Sequence, residues 1–202
     1  MPEQNKPNLL EIETALYGEG YLHIAGVDEV GRGCLAGPVF AAAVILPAQI
    51  QISGVNDSKQ LSPRVREKLF EKILEVAVDW SIAFVDHERI DKINIHKASL
   101  EVMKKAVDHL KIPPEFVLID GRFPLDLGIP QRPVIHGDAQ SQSIAAASIV
   151  AKVLRDRWMC EVAKQFPDFG FEAHKGYGTL RHRRAIQRFG LTPLHRRSFN
   201  VS

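Results

Sequence analysis

The chain has 202 residues, of which 45% are hydrophobic and 25% charged, and this composition is typical of a single globular domain with a substantial core. Its longest apolar stretch, residues 38–48, is bracketed by prolines and falls far short of the roughly 20 residues that a membrane-spanning helix requires. Two cysteines without metal-ligand spacing argue against a disulfide framework or a zinc site, and without a secretory signal pattern we expect reduced thiols in a cytoplasmic protein.

Basic residues are concentrated at the end of the chain. The net charge is +2, but residues 173–202 contain seven lysines and arginines and no acid, so the rest of the chain is mildly acidic. A basic block can be a solvated surface or a nucleic-acid contact, and charge alone leaves both interpretations open.

The first half of the chain alternates between strand and helix patterns. Residues 22–30 and 38–46 are apolar runs rich in Val, Ile and Ala, and the glycine-rich corner between them predicts adjacent strands joined as a hairpin. Ser62 as N-cap and Pro63 at the first helical position predict a helix that ends near residue 78. A strand over residues 81–86 and an amphipathic helix over 96–110 follow.

Two more strands and a long helix are predicted in the second half. Residues 115–121 and 132–138 are short apolar runs, and residues 141–166 form a helical stripe with an Ala-rich stretch that allows close packing on a sheet. The complete order predicts an α/β fold, with helices on both faces of a mixed sheet and a helical basic tail.

Carboxylates lie at the ends of three predicted strands: Asp28, Glu29, Asp120 and Asp138. If these strands are parallel neighbours, the carboxylates converge at one edge of the sheet, where ligands gather in open α/β folds. Such a cluster repels itself unless a cation shares it, and all-oxygen ligands favour Mg²⁺ or Mn²⁺.

Simpler roles compete with a metal site. Aspartates often end strands as turn formers, and Asp138 could interact with the N-terminus of the helix that follows it. Asp28 and Glu29 are harder to explain in this way, because side-chain alternation directs one of two adjacent residues into the protein, where an unpaired charge is costly.

The glycine corner also matches a nucleotide-binding pattern. Gly31, Gly33 and Ala36 fit the G-x-G-x-x-A form of the dinucleotide fingerprint. That motif opens a helix, whereas the residues that follow favour a strand, and a bound phosphate would face two acids. We therefore reject this interpretation.

Seven segments carry a family resemblance, in this order: GVDEVGRGCLAGPV, NDSKQLS, INIHKASL, VLIDG, GDAQSQSIAAASIVAKVLRD, HKGYGT and PLHRRSF. With them the sequence resembles ribonuclease HII, the type 2 ribonuclease H of bacteria, over nearly its whole length. The resemblance implies a ribonuclease H-like fold, a five-stranded mixed sheet flanked by helices. It implies a catalytic domain over residues 1–166, with an N-terminal segment over 1–20, and a basic helical segment over 167–202 that packs on it.

The resemblance also implies an activity. The expected enzyme is a monomeric endonuclease, dependent on two Mg²⁺ or Mn²⁺ ions, that cuts the RNA strand of RNA/DNA hybrids. It also incises at single ribonucleotides embedded in duplex DNA and leaves 5′-phosphate and 3′-hydroxyl ends.

Site residues carry over from the resemblance one by one. The metal-binding and catalytic carboxylates are Asp28, Glu29, Asp120 and Asp138. The Gly31-Arg32-Gly33 turn corresponds to the element that reads the ribose 2′-hydroxyl, Tyr177 to a tyrosine that stacks on the next deoxyribose, and Lys59 to a phosphate-binding lysine. The candidate phosphate contacts in the basic tail are Lys175, Arg181 and Arg184.

Two other functions use the same features. A hybrid-binding module without catalysis is disfavoured, because clustered acids do not help to bind a polyanion. A metal nuclease specific for DNA would have no use for a 2′-hydroxyl reader. We assign no catalytic role to His174, His182 and His195, because structural histidines are the commoner outcome.

Overall fold

The computed structural model describes residues 8–48, 50–55 and 61–200, and its central feature is a five-stranded mixed sheet. The strands are β1 (Ile24–Val30), β2 (Val39–Ile45), β3 (Asp79–Val85), β4 (Phe116–Asp120) and β5 (Gln131–Val134), in the sheet order β3-β2-β1-β4-β5. The helices are α1 (Glu11–Gly18), α2 (Pro63–Val76), α3 (His87–Ile93), α4 (Ile95–Asp108), α5 (Gln142–Ala163), α6 (Phe171–His174) and α7 (Leu180–Phe189). The predicted α/β fold with a C-terminal helical segment is confirmed.

The pairing of the central strands brings two of the predicted carboxylates together. β1 runs antiparallel to β2 and parallel to β4, and β4 runs parallel to β5. Val27 is paired with Ile119, so Asp28 and Asp120 are the next residues of two neighbouring parallel strands. Such strands lie about 4.8 Å apart, and both carboxylates therefore emerge at the same edge of the sheet.

Helices cover both faces of the sheet. One core cluster includes Val27 and Ile119 with Val102 of α4, and a second joins Ala42 of β2 to Ile73 of α2 and Ile149 of α5. None of the helices in the described part of the chain is long and apolar enough to span a membrane.

Gly26 lets α5 approach β1 closely. A Cβ atom on Gly26 would lie 2.1 Å from the carbonyl carbon of Ser143, in the first turn of α5. This contact excludes a side chain at residue 26. It also places α5 against the strand that carries Asp28.

Several element boundaries differ from the prediction. The strand predicted over residues 132–138 ends at Val134, because His136 adopts a left-handed conformation with φ 54°. Asp138 therefore lies in a 3₁₀ turn, Gly137–Ala139, and not at the end of the strand. Helices α1 and α3 were not predicted, since both are short and the second is separated from α4 only by Asn94 at φ 68°.

The basic tail folds back onto the loop between β1 and β2. The backbone N–H of Gly37 donates to the carbonyl of Leu194 at 2.9 Å, and the N–H of Arg196 donates to the carbonyl of Leu35 at 2.8 Å. The tail and the glycine corner are therefore joined by backbone hydrogen bonds.

Candidate active site

Asp28 and Glu29 lie near the carboxyl end of β1, followed in the strand only by Val30. Asp28 is 6% exposed, and its carboxylate accepts a hydrogen bond from Ser148 of α5. The side chain of Glu29 is 8% exposed, and its Oε1 pairs with the guanidinium of Arg32 at 3.1 Å. The prediction that one of the two carboxylates points into the protein is confirmed for Asp28.

Asp120 and Asp138 are linked through one turn. Oδ1 of Asp120 accepts from the backbone N–H of Gly137 at 2.7 Å, which holds the 3₁₀ turn that contains Asp138 against the end of β4. Asp138 is 6% exposed. The N-cap of α5 is Ser141, whose hydroxyl accepts from the Ile144 N–H, so Asp138 is not the N-cap of this helix.

The four carboxylates interact electrostatically. Burial is the largest cause that raises the pKa of Asp28 well above its ordinary value, and repulsion by Glu29, Asp120 and Asp138 raises it further. Burial also raises the pKa of Glu29, although Arg32 partly offsets this increase. The structure thus collects buried and half-buried carboxylate oxygens whose charges repel one another, which is the donor chemistry that Mg²⁺ or Mn²⁺ fits.

The carboxylates do not form a finished metal cage. Within residues 8–48, 50–55 and 61–200, no three Asp, Glu, His or Cys side chains are arranged so that they could hold an ion as they stand. Asp28 Oδ1 instead accepts from the Glu29 N–H at 2.7 Å, and Asp120 and Glu29 have the partners given above. Cation binding would therefore require side-chain rotation.

The glycine turn begins two residues after Glu29. Gly31 has φ +95°, and a Cβ atom there would lie 2.2 Å from Nε of the fully buried Arg155. Gly33 is different, because its Cβ would meet only Cε1 of Tyr177, at 4.0 Å. The side chain of Arg32 is 48% exposed beside the turn.

Tyr177 borders this turn. Cys34 and Tyr177 form an isolated backbone bridge, and the ring is 38% exposed. Nζ of Lys152 lies 5.7 Å from the ring centroid. A cleft of about 750 Å³ opens beside the ring, and its charged lining residues are Arg66, Glu67, Lys152, Asp156, Arg157, Glu161 and Lys175.

A chain of neutral histidines supports the backbone of Tyr177. The Thr192 N–H donates to Nδ1 of His195 at 2.9 Å, so His195 carries its proton on Nε2 and donates it to Nε2 of His182 at 3.1 Å. His182 in turn donates from Nδ1 to the carbonyl of Tyr177 at 2.9 Å. Both histidines are therefore structural, as expected from the sequence.

This histidine chain predicts a loss of stability in acid. Burial lowers the pKa of His182 to about 4, whereas an unfolded histidine titrates near 6.5, so the unfolded state takes up the proton first as the pH falls. We expect His182 alone to cost about 2 kcal/mol of unfolding free energy at pH 5 relative to pH 7. Denaturant titrations should show a weaker acid dependence for His182→Gln, while the exposed-site control His96→Gln should follow the wild type. An unchanged pH dependence in His182→Gln would contradict this assignment.

The proposed phosphate contacts in the tail have different surroundings. Lys175 lies in the wall of the cleft of about 750 Å³, with Nζ 3.2 Å from Sγ of Cys160, and Arg181 pairs with Glu172 at 3.3 Å. Arg184 is exposed on α7. Lys59 lies outside the described residues.

Three contributors to the site were missed by the sequence analysis. Ser148 bonds Asp28, while Arg155 and Arg196, both fully buried, donate to backbone carbonyls of the loop between β1 and β2. All three lie inside segments that carry the family resemblance. For Arg155 alone the sequence offered a signal, a charged residue within an Ala-rich and Val-rich helical segment.

Known proteins resemble this chain in sequence and in fold. The sequence profile of the family Ribonuclease HII matches residues 25–202. A ribonuclease HII of Caldicellulosiruptor saccharolyticus is 51% identical over 192 residues, covering 95% of this chain and 94% of the relative. A ribonuclease HII of Geotalea uraniireducens is 50% identical over 198 residues, covering 98% and 92%. The crystal structure of ribonuclease H2 from Pyrococcus horikoshii OT3 has a TM-score of 0.77 at 28% identity, covering 89% of this chain and 95% of that one.

The profile and the relatives cover nearly the whole chain, and the solved structure shares its sheet and flanking helices. The chain therefore belongs to the ribonuclease HII family and is a ribonuclease H hydrolase, an endoribonuclease that acts on RNA/DNA hybrids.

Proposed function

We propose that this enzyme uses divalent cations to cut both RNA/DNA hybrids and duplex DNA that contains a single ribonucleotide, leaving 5′-phosphate and 3′-hydroxyl ends. One observation carries the proposal: the buried acidic cluster runs directly into a glycine turn, with only Val30 between Glu29 and Gly31. Phosphodiester chemistry and recognition of the sugar next to it would then take place on one short segment.

Asp28, Glu29, Asp120 and Asp138 are the residues that would hold Mg²⁺ or Mn²⁺. When bound, a pair of such ions supplies an activated water and neutralises charge on the leaving 3′-oxygen. The protein contributes the fixed strand ends, the bond from Ser148 to Asp28, and the bond from Gly137 to Asp120. Cleavage with Mg²⁺ and with Mn²⁺ is compared in the test below.

The glycine turn is suited to contact a ribose. The carbonyls of Gly31 and Arg32 accept from Arg196, so they face the protein interior. The N–H groups of Arg32 and Gly33 make no hydrogen bond within the described ranges. We infer that these donors serve the 2′-hydroxyl, the group that distinguishes RNA from DNA, while Arg32 adds a charge-assisted phosphate contact.

The surface beside the turn fits the strand beyond the cleaved bond. The half-exposed ring of Tyr177 is available to stack on the following deoxyribose, and the cleft next to it contains Lys152 and Lys175. Arg184 on α7 is open to solvent and suits a more distant phosphate. Arg181 must first release Glu172 before it can serve in the same way. Lys59 remains a proposed phosphate contact on the strength of its motif alone.

We treat the domain organisation in the same way. Residues 1–166 would form the catalytic domain, and residues 167–202 would pack on it as part of one unit. The backbone bonds from Gly37 to Leu194 and from Arg196 to Leu35 support this arrangement. The monomeric state and the cytoplasmic location stay predictions.

One assay tests the activity. Matched duplexes are offered with Mg²⁺, with Mn²⁺ and with a chelator: one of DNA with a single ribonucleotide, one RNA/DNA hybrid and one of DNA alone. We expect cutting of the first two duplexes only, with either metal and not with the chelator. A ligase should be able to reseal the cut, because its ends should be a 3′-hydroxyl and a 5′-phosphate. Equal cutting of the all-DNA duplex would overturn the substrate assignment, and full activity in chelator would overturn the metal assignment.

A further inference from the structure

Arg196 lies beneath the glycine turn. The residue is fully buried in the segment 194–199, and its guanidinium donates three hydrogen bonds to backbone carbonyls of the loop between β1 and β2. Nη2 bonds Gly31 at 2.7 Å, Nη1 bonds Arg32 at 2.8 Å, and Nε bonds Gly37 at 2.9 Å. Both ends of the loop are therefore attached to one planar group.

Arg155 of α5 supports the same loop. This fully buried guanidinium donates to the carbonyl of Pro38 at 3.1 Å and to the carbonyl of Lys175 at 3.0 Å. It thereby connects the glycine loop to the segment that presents Tyr177. Its Nε also occupies the space into which a side chain on Gly31 would project.

Arg196 is itself anchored from outside the site. The carboxylate of Asp91, on α3, accepts from the N–H of Arg197 at 2.9 Å, the N–H of Ser198 at 3.0 Å and the Ser198 hydroxyl at 2.5 Å. The ring of Phe199 lies 5.1 Å from the guanidinium carbon. These contacts fix the backbone on the C-terminal side of Arg196.

A guanidinium suits this position better than any other side chain. Its donors lie in one plane and in a rigid fork, so it can bond three carbonyls that converge from different parts of a loop. A lysine ammonium keeps the charge but offers a single nitrogen on a flexible stem. Replacement by lysine therefore removes the geometry and keeps the charge.

We propose that Arg196, assisted by Arg155, is a positioning residue for ribonucleotide recognition: by binding the carbonyls of Gly31, Arg32 and Gly37 from inside, it turns the free N–H groups of the glycine turn toward the substrate. This inference rests on the proposed function, because it assumes that the turn reads the 2′-hydroxyl. Arg196 touches no substrate in this account and acts only through the backbone of the turn.

The test measures binding without cleavage. Fluorescence anisotropy in chelator compares a DNA duplex containing one ribonucleotide with the identical all-DNA duplex, for the wild type and for Arg196→Lys. We expect the wild type to prefer the ribonucleotide duplex by about 10-fold or more. Arg196→Lys should lose most of this preference, while its affinity for the all-DNA duplex stays within about 2-fold of the wild type.

Two controls separate positioning from general stability. Arg188→Lys makes the same exchange at an exposed position of α7 and should keep the preference. Ile73→Ala removes a fully buried side chain of α2, far along the chain from the turn, and should lower the melting temperature yet keep the preference as well. Equal loss of preference in Ile73→Ala would show that the effect is one of stability and would contradict the proposal.

A second variant covers the case in which Arg196→Lys does not fold. Asp91→Asn weakens the anchor of the segment that follows Arg196, and we expect it to reduce the same preference by a smaller factor. If Arg196→Lys folds and keeps the wild-type preference, this inference is overturned. If Arg196→Lys is unfolded, the same preference in Asp91→Asn overturns it. In both cases the proposed function still stands. Absence of any preference in the wild type overturns both the inference and the proposed function.

Discussion

Asp28→Asn is expected to lower the rate of hybrid cleavage by about 1,000-fold or more, with little change in hybrid affinity measured in chelator. Asp28 is buried, and the other three carboxylates each raise its pKa. An amide keeps the shape and the contact with Ser148 but removes the charge that cation binding requires. Single-turnover cleavage with Mg²⁺ and with Mn²⁺ measures the loss.

The same substitution should stabilise the metal-free protein. Burial raises the pKa of Asp28, so its ionised form costs stability, and that cost grows from about pH 4, where the unfolded carboxyl ionises, up to the raised pKa of the folded state. In chelator, Asp28→Asn should therefore melt at a higher temperature than the wild type, with a gap that widens as the pH rises above about 4 and levels off above the raised pKa of Asp28. Added Mn²⁺ should raise the melting temperature of the wild type and have a much smaller effect on the variant.

A matched control is available on α4. Asp108 is half exposed and pairs with Lys104 at 2.9 Å, so Asp108→Asn should leave cleavage and the response to Mn²⁺ unchanged. Cleavage at the wild-type rate by Asp28→Asn would contradict the assignment of the acidic cluster. Lower stability of this variant in chelator would contradict the account of its electrostatics.

Gly31→Ala should lower kcat/KM for a duplex with one ribonucleotide by about 100-fold or more. The new Cβ would lie 2.2 Å from Nε of Arg155, and that side chain cannot move aside because it is fully buried and bonded to Pro38. The backbone at φ +95° disfavours alanine in addition. The turn must then shift, and its N–H groups shift with it.

Gly33→Ala provides the contrast within the same turn. Its Cβ would approach only the Tyr177 ring, at ordinary contact distance, whereas a Cβ on Gly31 would overlap Arg155, so the melting temperature should fall much less for Gly33→Ala than for Gly31→Ala. Steady-state kinetics and thermal melts of both variants make the comparison. If Gly31→Ala retains the wild-type kcat/KM, close packing of Arg155 on Gly31 does not control the turn.

Strand patterns and strand ends made much of the fold and the acidic cluster predictable. Alternation along β1 indicated that one of two adjacent acids is buried, and the strand order was consistent with parallel neighbours whose ends meet. The prediction was wrong for the end of β5, because the left-handed conformation of His136 is a local choice that apolar periodicity does not report. Asp138 reaches the cluster from a 3₁₀ turn instead.

The supporting contacts could not be predicted because they join distant residues. Arg196 bonds Gly31 across 165 positions of the chain, and no spacing rule relates the two. In the sequence alone, Arg196 belongs to a basic tail whose simplest role is contact with phosphate. Its complete burial shows that a basic block can hold structural and surface cations side by side.

Anomalous X-ray diffraction at the manganese edge, from crystals grown with Mn²⁺ and an uncleavable hybrid, tests the central claim most directly. The account predicts manganese peaks at coordination distance from the carboxylates of Asp28, Glu29, Asp120 and Asp138, next to the phosphate that is cleaved in the normal substrate. Manganese peaks found only at other positions would contradict the account, provided that enzyme redissolved from the same crystals cleaves an ordinary hybrid.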